Sequence, residues 1–379
     1  MHIHGDGASS VFVGNAAPLD PSFWAVGITG VALGSELTVA GMTIQANAST
    51  GALTRPVVLV QDCAGSVTLH GCAFPMLFAG VAAETLSLRQ ASWTILSSSS
   101  IDAYSGAVGI RAASSGLWIQ DSTVVPGDMQ LFKVGLQAVV LEDSALYVVS
   151  SVLRGNAGAN SGGPVCSLPT LPLKSAGKPG WHAIESFGAS IVKIVGGPGA
   201  LIQGGDAGAG LCPMYFVPGG NAIRAHDATQ VLAAPIAGLL QSGFPSSGAP
   251  LPAIEVSESA IAFQGAPLYP SLDVVPTLAS PGASIQLEVQ GNPQSRVVYF
   301  AALELADAPI AMPGIDGALA LAASFFPLGS KMLDAQGAAS LSVVLPADPA
   351  FVGLAPRVQV LEFGPAQLAV SNPELIVLL

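Results

Sequence analysis

The sequence predicts an all-β chain: a parallel β-solenoid over residues 1–270, a Pro-rich connector over 271–281 and a small β-sandwich over 282–379. Three observations predict it. Between Trp181 and Gln264 one phrase recurs, opening His182-Ala-Ile-Glu, Asn221-Ala-Ile-Arg and Leu251-Pro-Ala-Ile-Glu, each followed by a polar turn and a second apolar strand. Such self-similarity with unequal insertions marks a stacked array in which no repeat buries a core alone. Apolar residues also recur at offsets zero, seven, nine and fourteen, as in Val60, Val67, Leu69 and Phe74, in Ile110, Leu117, Ile119 and Val124, and in Val139, Leu146, Val148 and Leu153. Finally, only 9% of residues are charged, against about 25% in ordinary domains. With 44 Gly and 29 Pro, that composition suits short strands and tight turns, not exposed helices.

At the start, Met1-His-Ile-His-Gly-Asp-Gly reads as a strand and turn from inside a solenoid, not as the charged n-region and apolar core of an export leader. The expectation is that further coils precede it. His2 and His4 share a strand face, but no third ligand accompanies them, so no metal is assigned to them. Looser matches to the coil rule are Leu37, Val39 and Ile44, and Leu86, Leu88 and Trp93. The Ile184 coil keeps Ile191 but places Lys193 where an apolar residue belongs, the Ile223 coil slips by one to Val231, and the last coil reads Ile254, Ile261, Phe263.

After Leu153 the coils swell. Insertions at Gly155–Gly180, Gly204–Gly220 and Gln241–Pro250 occupy one topological position, so stacking should place them along one wall. Trp181, Tyr215, Phe216 and Phe244 lie near that wall and are the candidate binding residues, since loops on a rigid scaffold commonly carry function. The competing reading is that the loops shield a sheet edge. Cys166 and Cys212 sit in two of these excursions and are expected to form a disulfide, which implies an oxidising compartment. Cys63 and Cys72 flank one strand and are read first as buried thiols.

Beyond residue 281, alternation at Ile285, Leu287 and Val289 continues through 297–305, 341–345, 358–363, 367–370 and 375–379, the pattern of half-buried strands. The stretch 318–326 reads equally as a short helix or a strand.

A formal net charge of −12 leaves no basic patch to neutralise phosphates, so nucleic acid is not an expected partner. No apolar run reaches the roughly 18–20 residues of a spanning helix. No cofactor is expected either: Gly204-Gly-Asp-Ala-Gly-Ala-Gly is followed by Cys212-Pro213 and not by a helix, and so reads as a flexible loop.

One residue past each first-strand anchor stand Arg111, Val140, Glu185, Arg224 and Glu255, outward-facing and stacked. With His226, Asp227 and Glu258 close by, an acid, a base and a cation share one face. An enzyme acting on polysaccharide needs either two carboxylates flanking the glycosidic bond or Ca²⁺-binding acids with an Arg or Lys base, and these six residues, Glu185, Arg224, His226, Asp227, Glu255 and Glu258, are the nearest constellation. As a purely electrostatic ladder, each exposed pair contributes about 0–1 kcal/mol.

The Ala-Ile-x-x-x-x-Ser-x-Ile coils, the Gly-Gly loops and the ending Leu368-Ala-Val-Ser-Asn-Pro-Glu-Leu-Ile-Val resemble secreted right-handed parallel β-helix proteins of the pectate-lyase-like superfamily that carry a terminal β-sandwich, of planctomycete type. The resemblance implies a right-handed, single-stranded winding, export, and residence outside the cell or on its surface. It also implies extracellular polysaccharide or cell-envelope components as partners. It transfers no catalytic residue, because the aspartate-rich and arginine-rich motifs of pectin-cleaving helices are not found here. The expected role is structural, adhesive or glycan-binding. The competing one is a polysaccharide lyase or glycoside hydrolase working around Arg224 and His226.

Overall fold

The computed structural model describes the chain apart from residues 1, 5–10, 16–25, 34, 48–55, 76–83, 104–106, 127–135, 159–177, 197–198, 209–216, 234–237, 265–269, 304, 311–314, 317–318, 322–323, 353, 355, 365–367 and 379. Among the described residues, strands up to Gln264 fall into three parallel sheets visited in turn. The first sheet has nine strands, from His2–His4 to Ile261–Gln264. The second has eight, from Val11–Asn15 to Leu240–Gln241, and the third eight, from Val26–Thr29 to Ile254–Val256. This arrangement fits a parallel β-helix.

The coil rule works because alternate side chains share a face. Val67, Leu69, Ile110, Leu117, Ile119, Val124, Val139, Leu146 and Leu153 are completely buried in one continuous core. Where the rule fails, turn length is the cause. In the Ile184 coil the core positions are Val192 and Ile194, register partners of Leu146 and Val148. Ile191 and Lys193 point outward instead, Ile191 being 36% exposed. Val231 pairs with Val192 as expected. In the next coil Ala262, not Ile261, stands opposite Val231. The corners at Gly188, Asp227 and Glu258 hold one residue more than those at Ser114 and Asp143, and a one-residue shift exchanges the two faces of a strand. Trp93 is outward for the same reason: Thr94 takes the position opposite Leu117.

Hydroxyl ladders brace two corners. Ser99, Ser122 and Ser151 each donate Oγ–H to the carbonyl two residues back, and each next-coil hydroxyl accepts a backbone N–H, as Ser122 does from Ser99 at 3.0 Å and Ser151 from Ser122 at 3.1 Å. Cys72 heads this ladder, its thiol directed to His70 O at 3.5 Å. Cys63 plays the same part beside Ser115 and Ser144, directed to Gln61 O at 3.3 Å. Both cysteines are free and buried. Burial pushes the Cys72 thiol up to about 11, which keeps it protonated and unreactive.

After the solenoid, Ser271–Val275, Ser284–Gln290 and Ala338–Val344 form an antiparallel sheet, so strand structure already occupies part of the stretch read as connector. A six-stranded sheet faces it, built around Arg296–Ala302 and Arg357–Phe363. The two share a second core containing Leu287, Val289, Tyr299, Val358 and Val360. The ambiguous stretch 318–326 contributes the strand Leu319–Leu321 and the start of Phe326–Met332.

These C-terminal strands lie against the outer face of the first parallel sheet. Val149, Val195 and Ala369 make a small apolar contact there. Trp118 and Tyr147 stack at 4.8 Å and border Pro270, Val370 and Asn372. Thr38, Thr68, His70 and Gln120, polar and outward-pointing, are consequently buried.

Candidate functional site

On the outward row of the third sheet Leu59, Ser87 and Val140 are buried while Arg111, Glu185, Arg224 and Glu255 are part-exposed, and the anticipated ladder lies there in the expected register. Arg111 pairs with Val140, Val140 with Glu185, Glu185 with Arg224, and Arg224 with Glu255. Charge pairing along it is selective. Arg224 Nε lies 3.6 Å from Glu255 Oε2, both side chains 38% exposed. Glu185 takes other partners: Gln137 Nε2 donates to its Oε2, and His226 Nε2 stands 3.3 Å from its Oε1. His226 Nδ1 is 3.0 Å from Ser257 Oγ, and its ring lies flat on Phe187 at 4.7 Å with planes 4° apart.

His182 closes the group. Its Nδ1 accepts from the Asn221 backbone N–H at 3.0 Å, and Nε2 faces Arg224 Nη1 at 3.5 Å. Burial first, then the charge of Arg224, holds this imidazole below its ordinary value, against the opposing pull of Glu185 and Glu255. His182 is thus a neutral acceptor near pH 7. Sequence reasoning did not single it out, although it opens the first copy of the repeated phrase.

Asp227 and Glu258 serve the backbone. Asp227 Oδ2 accepts from Gly188 N at 2.8 Å and Glu258 Oε2 from Asp227 N at 3.2 Å. The Gly188 N–H, then Glu258, lowers the Asp227 carboxyl. Four of the six anticipated residues, Glu185, Arg224, His226 and Glu255, therefore form one patch with His182 and Phe187.

The loop roots stack beside this patch. Trp181 N–H bonds Asn156 O at 2.9 Å, Gly205 N–H bonds Trp181 O at 2.8 Å, Gly220 N–H bonds Gly205 O at 2.7 Å, and Gly243 N–H bonds Gly220 O at 2.8 Å. Glycine is needed because backbone meets backbone: a Cβ on Gly205 would overlap the Asn156 carbonyl. The Gly204–Gly208 run is thus close-packed, correcting its reading as a flexible loop. Trp181 is half-buried. Phe244 is 69% exposed, its N–H held by Asp206 Oδ1 at 2.8 Å. Tyr215, Phe216, Cys166 and Cys212 lie outside the described residues.

A second polar cluster lies where the C-terminal strands cover the first sheet. Arg357, 1% exposed, donates to Thr68 Oγ1 at 2.8 Å and pairs with Glu36. Burial lowers its guanidinium to about 9, opposed by Glu374. Glu374 Oε1 accepts from Gln120 Nε2 at 2.7 Å and Asn372 Nδ2 at 2.8 Å. Burial, then Asp121 and Asp273, raises Glu374 well above the carboxylate range. Sequence reading assigned no metal site, and residues 121, 273 and 374 are too far apart in the chain for any local motif to signal their convergence.

No protein-family model and no curated protein matches this chain. No helix among the described residues is long and apolar enough to cross a membrane.

Proposed function

We propose that this chain is an exported, right-handed parallel β-helix with a C-terminal β-sandwich, which binds glycan at the cell surface or outside the cell without cleaving it. The observation that supports this most is the flat Phe187–His226 pair flanked by Arg224, Glu255 and His182 on a part-exposed strand face. A sugar ring offers an apolar C–H face and a rim of hydroxyls, which match an aromatic plane bordered by donors and acceptors. Right-handed winding agrees with the handedness that strand twist imposes on parallel crossovers. Against cleavage, Glu185 is held by Gln137 and His226, and Glu255 is paired with Arg224. Neither carboxylate stands free to act as acid or nucleophile.

The alternative, a polysaccharide lyase or glycoside hydrolase on this face, draws on one observation. His226 is held between Ser257 and Glu185 at 3.0 and 3.3 Å, which orients an imidazole as the general base that proton abstraction by a lyase requires.

A glycan array and a depolymerisation screen on one purified sample separate the readings. Binding without cleavage, lost in Phe187→Ala and Arg224→Ala, is the expected result. Depolymerisation abolished by His226→Ala would make the face an active site. Silence in both assays would overturn the glycan reading in favour of a structural role.

A further inference from the structure

Asp121 stands at a left-handed corner of the solenoid, φ 46°. Asp273 lies on the strand Ser271–Val275 and Glu374 on the short strand Glu374–Leu375. One carboxylate oxygen from each lies within 4.8 Å of the other two. The nearby cation, Arg357, is shared with Glu36, so three carboxyl groups converge with no basic side chain committed to them alone among the described residues. A cavity of about 440 Å³ opens beside it, its lining including Asp121, Asp273, Glu288 and Asp334.

Gln120 supplies an independent sign of a ligand. It is 1% exposed, and its amide head is at the cluster, Nε2 lying 2.7 Å from Glu374 Oε1 and 3.2 Å from Ser97 Oγ. Its Oε1 is buried and has no hydrogen-bond donor among the described residues. A buried carbonyl oxygen without a donor, on a side chain that reaches three converging carboxyl groups, calls for a partner.

We propose that Asp121, Asp273, Glu374 and the amide oxygen of Gln120 bind a calcium ion that ties the C-terminal sheets to the solenoid. The donors are all oxygen, three anionic and one neutral, which selects a hard cation over the softer transition metals. Oxygens within 4.8 Å of one another can be bridged by Ca²⁺–O bonds of about 2.4 Å, and the irregular origin of the ligands, a corner and two strands, suits the flexible coordination of Ca²⁺ better than the strict octahedron of Mg²⁺. Water from the cavity completes the coordination. Because the ligands come from both sides of the contact, the ion acts as a clamp.

The test uses the full chain, stripped with chelator and titrated with CaCl₂ by calorimetry, alongside thermal melts with and without Ca²⁺. One Ca²⁺ per chain and a raised Tm are expected, with Mg²⁺ weaker. Asp273 is exposed, so Asp273→Asn should fold as the wild type does, which near-ultraviolet circular dichroism checks. It should lose about tenfold or more in Ca²⁺ affinity. No calcium heat at millimolar concentration, or undiminished affinity in Asp273→Asn, would overturn the proposal.

Discussion

Arg357 Nη2 donates a 2.8 Å hydrogen bond to Thr68 Oγ1, joining residues 289 positions apart. The same guanidinium pairs with Glu36, so one side chain of the C-terminal sheet bridges two neighbouring strands of the solenoid's first sheet. A buried pair contributes little net stability once formed, but breaking it strands a charge. Arg357→Met should therefore destabilise the chain by about 3–5 kcal/mol, and adding Glu36→Leu should restore part of that. Urea unfolding at pH 7 measures both. A loss below about 1 kcal/mol for Arg357→Met would mean that the contact is solvated.

Ile223 anchors the first strand of its coil and Ile261 begins the second strand of the next, at the offset-seven place of the coil rule, yet the two face opposite ways: Ile223 is completely buried and Ile261 is 46% exposed. Ile223→Asp should cost several kcal/mol by burying an unpaired charge. Ile261→Asp should stay within about 0.5 kcal/mol. Equal melting temperatures for the two variants would refute the register in which Ala262 opposes Val231.

Much of the solenoid was legible because its core obeys a local rule. Val139, Leu146 and Leu153 lie close in sequence, and burial followed spacing. Corner length was not legible. A left-handed residue ends these turns whether it is Ser114, Asp143 or Gly188, so nothing in residue type announces the extra position that turned Ile191 outward. The Glu185–Arg224–Glu255 register was readable by the same stacking logic. The choice of Glu185 to bond Gln137 and His226 was not, because it depends on side-chain reach across coils. Nor does any local pattern bring Asp121, Asp273 and Glu374 together, since their approach follows from how the C-terminal sheets dock.

Gly205→Ala tests whether the loop wall is packed or loose. The added methyl would overlap the Asn156 carbonyl, and backbone must move to admit it. A loss of about 1–3 kcal/mol is expected, as for other overpacked sites, with faster amide exchange at Trp181, Gly205 and Gly220, whose N–H groups carry the ladder. Unchanged exchange at these amides would show that the wall is not held by them.

Acidity at the docking contact should be visible in stability. Burial, then the charge of Asp273, raises the Asp121 carboxyl to about 7, against about 3.9 in an unfolded chain. Between those values the folded state holds the proton more tightly. In chelator, stability is thus greatest below about pH 4 and falls as pH rises through about 7, by at most about 1.4 kcal/mol per pH unit for this group. Glu374 is shifted in the same direction and adds to the slope. Asp121→Asn keeps a residue type that tolerates the left-handed corner while removing the titration, so its profile from pH 4 to 8 should be flatter than the wild type's. Saturating Ca²⁺ should reverse the wild-type slope, because a bound cation requires ionised ligands. Urea midpoints across that range, with chelator and with calcium, decide it: parallel profiles for Asp121→Asn and wild type in chelator would show that this carboxyl is already ionised in the folded chain.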